Sequence, residues 1–256
     1  MSKTALITGT TSGIGEAFCD LLASEQYNLI LVARNKQALE KQAAILEKHN
    51  IQVTTVVCDL TEFNAPQYLY NKVCAANLNV DLLINNAGFN EAGYFIDTDL
   101  SNELGMIQLH IKALTELTKL FLPHMIARGY GRILNLGSTG SYMPCPCDTV
   151  YAATKAYVLS FSNGLYQELK GTGVTVTCLC PGATQTAFAM KAHINTTLLF
   201  KILVLKPMEV ARVGYKSMLK GKRTVTVGLY NKILVLSAKL LPTCIINPIA
   251  QRMIKR

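Results

Sequence analysis

The sequence has 256 residues, half of them hydrophobic and 16% charged, with 17 Gly, 8 Cys and no Trp. That balance excludes a disordered or collagen-like chain, and the length suits one large domain with a wholly buried sheet. The formal charge of +9 is uneven: residues 191–256 hold 13 Lys and Arg against one acid, Glu209, whereas residues 1–190 hold 12 bases and 15 acids.

Apolar runs of strand length fall at Thr4–Thr8, Leu29–Ala33, Val53–Cys58, Leu82–Asn85, Arg132–Leu136, Val174–Cys180 and Thr224–Val227. Most are apolar on both faces, as in a parallel sheet covered on both sides. Helix-length segments lie between them: Ile14–Glu25, Lys36–His49, Ala65–Ala76, Ser101–Ala127, Tyr151–Lys170 and Met208–Lys220. The alternation predicts right-handed crossovers and an α/β, doubly wound sheet in a single domain spanning 1–256. Residues 190–220 are expected to cover a substrate site. Residues 229–256 form a basic, apolar extension in which Pro242 and Pro248 are expected to kink or break any helix.

The first strand starts at Thr4, leaving no room for a signal peptide before it, and Cys58, Cys178 and Cys180 sit in apolar runs. Cys145 and Cys147 make a CxC, and His49, His110, His124 and His193 lack ligand spacing. The expectation is a cytoplasmic protein with reduced thiols and no metal site. Leu240–Gln251 has 12 residues, short of the roughly 20 a spanning helix needs.

Between the first strand and first helix runs Thr8-Gly9-Thr10-Thr11-Ser12-Gly13-Ile14-Gly15. Glycines there permit a tight turn and close backbone approach, and the following helix offers free N–H groups to a pyrophosphate. The second strand ends at Arg34, where an NAD site usually has an acid for the ribose 2′-hydroxyl. Arg34 suits a 2′-phosphate, or is simply solvated; the first reading favours NADP(H) over NAD(H). Asp59 and Leu60, closing the third strand, are placed to reach the adenine end.

Tyr151 and Lys155 lie four residues apart on one helix face, and Ser138 follows the fifth strand at the carboxyl edge of the sheet. A nearby cation favours phenolate and is expected to lower the Tyr151 pKa. With the glycine loop, Asn85-Asn86-Ala87-Gly88 and Pro181-Gly182, these residues resemble the short-chain dehydrogenase/reductase family from Thr4 to about Val227. The resemblance implies a Rossmann-like seven-stranded sheet, a nicotinamide cofactor and a homodimer or homotetramer packed through the helices bearing His110 and Tyr151.

By the same resemblance Tyr151 is the general acid, Ser138 binds the substrate oxygen and Lys155 holds the nicotinamide ribose. Asn86, Ala87, Gly88 and the Pro181-Gly182-Ala183-Thr184-Gln185-Thr186 segment line the cofactor. His110 stands where the family usually has a relay Asn. It either substitutes in the relay or packs the helix.

The implied activity is NADP(H)-dependent interconversion of a carbonyl and an alcohol, on an apolar or acyl-type substrate given Tyr142, Met143, Cys145 and Cys147 between Ser138 and Tyr151. A catalytically silent NADP-binding sensor is the alternative. The basic tail either covers the substrate, packs in a subunit interface or touches an anionic membrane. No nucleic-acid motif is present.

Overall fold

The computed structural model describes residues 3–187, 190, 192, 197, 200 and 204–254. Seven strands, β1 (Thr4–Thr8), β2 (Asn28–Ala33), β3 (Val53–Val57), β4 (Leu82–Asn85), β5 (Gly131–Leu136), β6 (Val174–Cys180) and β7 (Thr224–Thr226), form one parallel sheet. Their order is β3-β2-β1-β4-β5-β6-β7. The order reverses direction between β1 and β4, so the loops after those strands open a crevice at the carboxyl edge.

Successive strand residues point to opposite faces, and each face has its own core. Ile7, Leu31, Ile84, Leu134 and Leu179 pack on one side with α1 (Gly13–Ser24), α2 (Lys36–Leu46) and α7 (Pro207–Leu219). Leu6, Ile30, Leu83, Ile133 and Val176 pack on the other with α3 (Ala65–Ala75) and α5 (Leu114–Ala127). α6 (Thr149–Glu168) runs beside α4 (Leu100–Ile107).

The helix expected over Ser101–Ala127 is not uniform. α4 and α5 are joined by a wider, π-helical turn, Gln108–Ala113, which carries His110 inward. The C-terminal extension forms α8 (Leu229–Leu240) and α9 (Thr243–Ile254). Pro242 separates them, and Pro248 sits within α9 without ending it. The carbonyl left without its N–H partner belongs to Cys244, an exposed residue.

The expected covering segment, 190–220, also divides differently. Residues 191, 193–196, 198, 199 and 201–203 lie outside the described residues. Residues 207–219 are not a cover: α7 spends its apolar face, Val210, Ala211, Tyr215 and Met218, on the core.

Candidate active site

The loop from β1 to α1 is shaped by glycines that no other residue could replace cheaply. Gly9 has φ +71°, and a Cβ there would lie 2.8 Å from the Ala87 Cα. Gly13 has φ +63°, and its Cβ would lie 2.7 Å from the Thr186 methyl. The loop is thus pressed against the segments after β4 and β6. Asn86 locks it from the β4 side: its Nδ2 donates to the Thr8 and Gly9 carbonyls at 2.9 and 3.0 Å. The Thr8 hydroxyl accepts from the Asn86 and Ala87 N–H groups, both at 3.0 Å.

At the end of β2, the Arg34 guanidinium lies 3.4 Å from Asp59, with two-thirds of its side chain exposed. Burial of Asp59 is outweighed by the Thr61 N–H and hydroxyl and by Arg34, which together hold its carboxyl below the usual range. The pair is solvent-screened, so Arg34 can exchange this partner for another anion.

A cavity of about 550 Å³ runs along the crevice. Gly9, Thr11, Ser12, Gly13 and Ile14 line one end, with Arg34, Asp59 and Leu60. Asn86, Ala87, Gly88, Pro181, Gly182, Thr184 and Thr186 line its middle, and Ser138, Tyr151 and Lys155 reach it from β5 and α6. Of the catalytic and cofactor-site residues singled out from sequence, Gly15, His110 and Gln185 fall outside the wall. Gly15 is inside α1, where a Cβ would strike the Gly9 carbonyl at 2.1 Å. The far end is apolar: Phe89, Met143, Phe200, Leu234, Ile246, Ile249, Ala250, Met253 and Ile254. Tyr142 and Cys147 do not line it, while Cys145 does. Its apolar wall is drawn largely from α9.

Lys155 is buried and Tyr151 half-buried on the cavity wall, and desolvation acts on them in opposite directions. It raises the Tyr151 phenol above its ordinary range; Asp148 adds to this, and the Ser138 hydroxyl pulls the other way. It lowers Lys155 to about 8, with Cys178 and Cys180 opposing. The lysine was expected to make the phenol more acidic. Instead its Nζ donates to the Leu136 carbonyl at 2.8 Å, 5.5 Å from the Tyr151 ring centroid, and desolvation dominates. A phenol of raised pKa is protonated at neutral pH, the form that donates to a carbonyl oxygen.

His110 engages both ring nitrogens. Phe89 N–H can only donate, so Nε2 accepts it at 3.3 Å and the proton sits on Nδ1. Nδ1–H then donates to the Thr154 hydroxyl at 2.9 Å, which donates to the Tyr151 carbonyl at 2.8 Å. Burial, helped by Lys155, holds the ring well below the usual histidine pKa. His110 is therefore a neutral bridge from the β4 loop to the backbone of Tyr151. Thr154, its partner, gave no signal in the sequence.

The chain matches the family model for short chain dehydrogenases over residues 3–197. It belongs to the short-chain dehydrogenase family. The very-long-chain 3-oxoacyl-CoA reductase of Bos taurus is 34% identical over 196 residues, which are 74% of this chain and 62% of that protein. The matched region thus spans less than two-thirds of that relative. Sulfoacetaldehyde reductase 2 of Chromohalobacter salexigens is 38% identical over 192 residues, 74% of this chain and 76% of that one. Among solved structures, a short-chain dehydrogenase from Sphingobium yanoikuyae in complex with NADPH superposes with a TM-score of 0.83 at 29% identity, covering 93% of each chain.

Proposed function

We propose that the protein is an NADP(H)-dependent oxidoreductase that reduces an apolar or acyl-type ketone or aldehyde to the alcohol, and runs the reverse oxidation. The observation that carries this reading is the convergence of Ser138, Tyr151 and Lys155 on the wall of a cavity whose other end is the glycine loop. The residues fit a nicotinamide dinucleotide. Gly9 and Gly13 leave room a Cβ would fill, the N-terminus of α1 offers free N–H groups, and Arg34 supplies a cation for a 2′-phosphate.

When bound, the dinucleotide would supply the hydride. The remaining work falls to the chain. The Ser138 hydroxyl donates to the substrate oxygen and orients it. Tyr151, protonated at neutral pH, gives its proton to that oxygen as charge develops on it. Lys155, charged below about pH 8, places a positive field beside the phenol and can hold the cofactor ribose. His110 acts through position, fixing the Tyr151 backbone by way of Thr154. The relay role weighed from sequence would require it to release one of its two protein partners.

Titration with NADPH and NADH, followed by a carbonyl screen, tests the assignment. Tyr151→Phe should lower turnover by about 10²- to 10⁴-fold while NADPH still binds. Turnover that survives this change would assign the proton to another acid, whereas NADPH binding with no turnover on any carbonyl would support the sensor reading.

The reading extends to partners. The protein is cytoplasmic, self-associates through α4, α5 and α6 as the family resemblance implies, and rests its C-terminal helices on an anionic bilayer. The last point is supported by charge and pattern. No acid follows Glu209, while Leu229, Ile233, Leu236 and Leu240 stand exposed on α8 and Leu241, Ile245 and Ile249 on or beside α9. Lys232, Lys239 and Arg252 are interleaved and exposed. No helix among the described residues is long and apolar enough to cross a membrane.

A further inference from the structure

Asp148 is the N-cap of α6, three residues before Tyr151. An aspartate there ordinarily accepts from first-turn N–H groups, as Asn35 does for α2 and Asp99 for α4. Asp148 makes no such bond. Its buried side chain lines the cavity, and its Oδ1 lacks a hydrogen bond of normal geometry. Asn90, from the loop after β4, is equally buried on the same wall and faces the Asp148 carboxyl, with neither its Oδ1 nor its Nδ2 in a hydrogen bond of normal geometry. The two segments are tied by the Gly93 N–H donating to the Cys147 carbonyl at 2.8 Å. With only their mutual contact, these buried polar atoms are poorly matched, which costs stability, and a ligand supplying better partners would recover it.

We infer that Asp148 and Asn90 form a polar subsite for a hydrogen-bond-accepting oxygen near the reacting carbonyl, as in an uncharged 3-oxoacyl ester or thioester, and that the subsite disfavours anionic carbonyls. The inference rests on the reductase reading above. Much of the rest of this end of the cavity is walled by apolar side chains such as Met143, Ile246, Ala250 and Met253, so Asp148 and Asn90 are well placed to meet a second oxygen. Among the described residues, the cationic side chains on the cavity wall are Arg34, at the glycine-loop end, and Lys155, already donating to Leu136. Neither offers an anionic substituent a partner beside Asp148.

Burial pushes the Asp148 carboxyl up to about 7, and the nearby Asn90 amide opposes part of that shift. The acid form donates to an acceptor; the anion does not. Among the described residues, two titratable groups face it, Tyr151 on α6 and Cys145 before it. Burial raises the first beyond the ordinary phenol range and the second to about 12. The α9 residues on the wall are uncharged. Lys155, near 8, acts on any carbonyl substrate alike.

The test compares ethyl acetoacetate with 2-hexanone, using the full chain and NADPH. The ratio of their kcat/KM values should fall about tenfold between about pH 6 and pH 8, following loss of the Asp148 proton. Asp148→Asn should flatten that dependence, since an amide donates at every pH, and Asn90→Ala should lower the ratio throughout. The acetoacetate anion should be the poorer substrate by at least about tenfold. A wild-type ratio independent of pH overturns the subsite without depending on whether any variant folds, as does equal use of ester and anion. Failure to reduce either ketone overturns the reductase reading itself.

Discussion

Lys155 is the residue whose environment sets the working pH range. Its buried ammonium titrates at about 8, so the charged form is complete below that value and is lost as pH rises through it. Reductive kcat/KM on a simple ketone should therefore fall on the alkaline side with a midpoint near 8, read from initial rates of NADPH oxidation. Tyr151 adds no competing limb there, because burial moves its titration upward. His110 is neutral across the same range and should leave the midpoint alone. If it acts by holding Tyr151 through Thr154, His110→Ala should lower kcat by about tenfold and His110→Asn should recover part of the loss, as expected when a hydrogen-bonded bridge is cut or partly kept. A displaced alkaline midpoint in both variants would instead return the proton relay to His110.

At the scale of elements, α9 forms much of the apolar end of the cavity, through Ile246, Ile249, Ala250, Met253 and Ile254. Burying a methylene there is worth about 0.8 kcal/mol, or about fourfold in affinity. Along a series of 2-ketones, kcat/KM in the full chain should rise with each added carbon, by up to that factor. A chain ending after Leu240 should show a much flatter series while still reducing the shortest ketones; an equally steep series would assign the apolar wall elsewhere. The sequence offered both 190–220 and the basic tail as covers, because both stretches mix Leu, Ile and Lys, and so did not single out this wall. What decided between them was tertiary: α7 turned its apolar face to the core and α9 did not. The strands were readable almost to the residue, since runs such as Leu29–Ala33 are apolar on both faces and bounded by polar turns. The π-helical turn at Gln108–Ala113 was not, because no local composition marks it and its histidine is held by Phe89 and Thr154, from distant segments. Asp148 was likewise hidden, since its position in sequence reads as an ordinary helix cap and only the missing cap bond reveals the side chain turned into the cavity.

For the molecule as a whole, the governing feature is the separation of charge from chemistry: the nucleotide-side residues belong to a slightly acidic body, and the basic residues cluster after position 190. Exposed leucines and isoleucines on α8 and α9 add an apolar component to that cationic face. Each contribution alone would be weak. Together they predict adsorption that needs both anionic headgroups and apolar insertion, with α9 seated at the lipid surface while forming the cavity wall. In flotation, the protein should rise with phosphatidylglycerol vesicles and stay down with phosphatidylcholine alone. Binding should weaken as salt shortens the screening length from about 30 Å at 0.01 M to about 8 Å at 0.15 M. Leu236→Asp and Ile245→Asp replace exposed residues that do not line the cavity, so they should abolish flotation yet leave turnover on soluble ketones intact. If neither vesicle binds and the same substitutions instead dissolve a concentration-dependent dimer in sedimentation, the face belongs to a second copy of the chain. A bilayer would be excluded, because one apolar stripe cannot be covered by both at once.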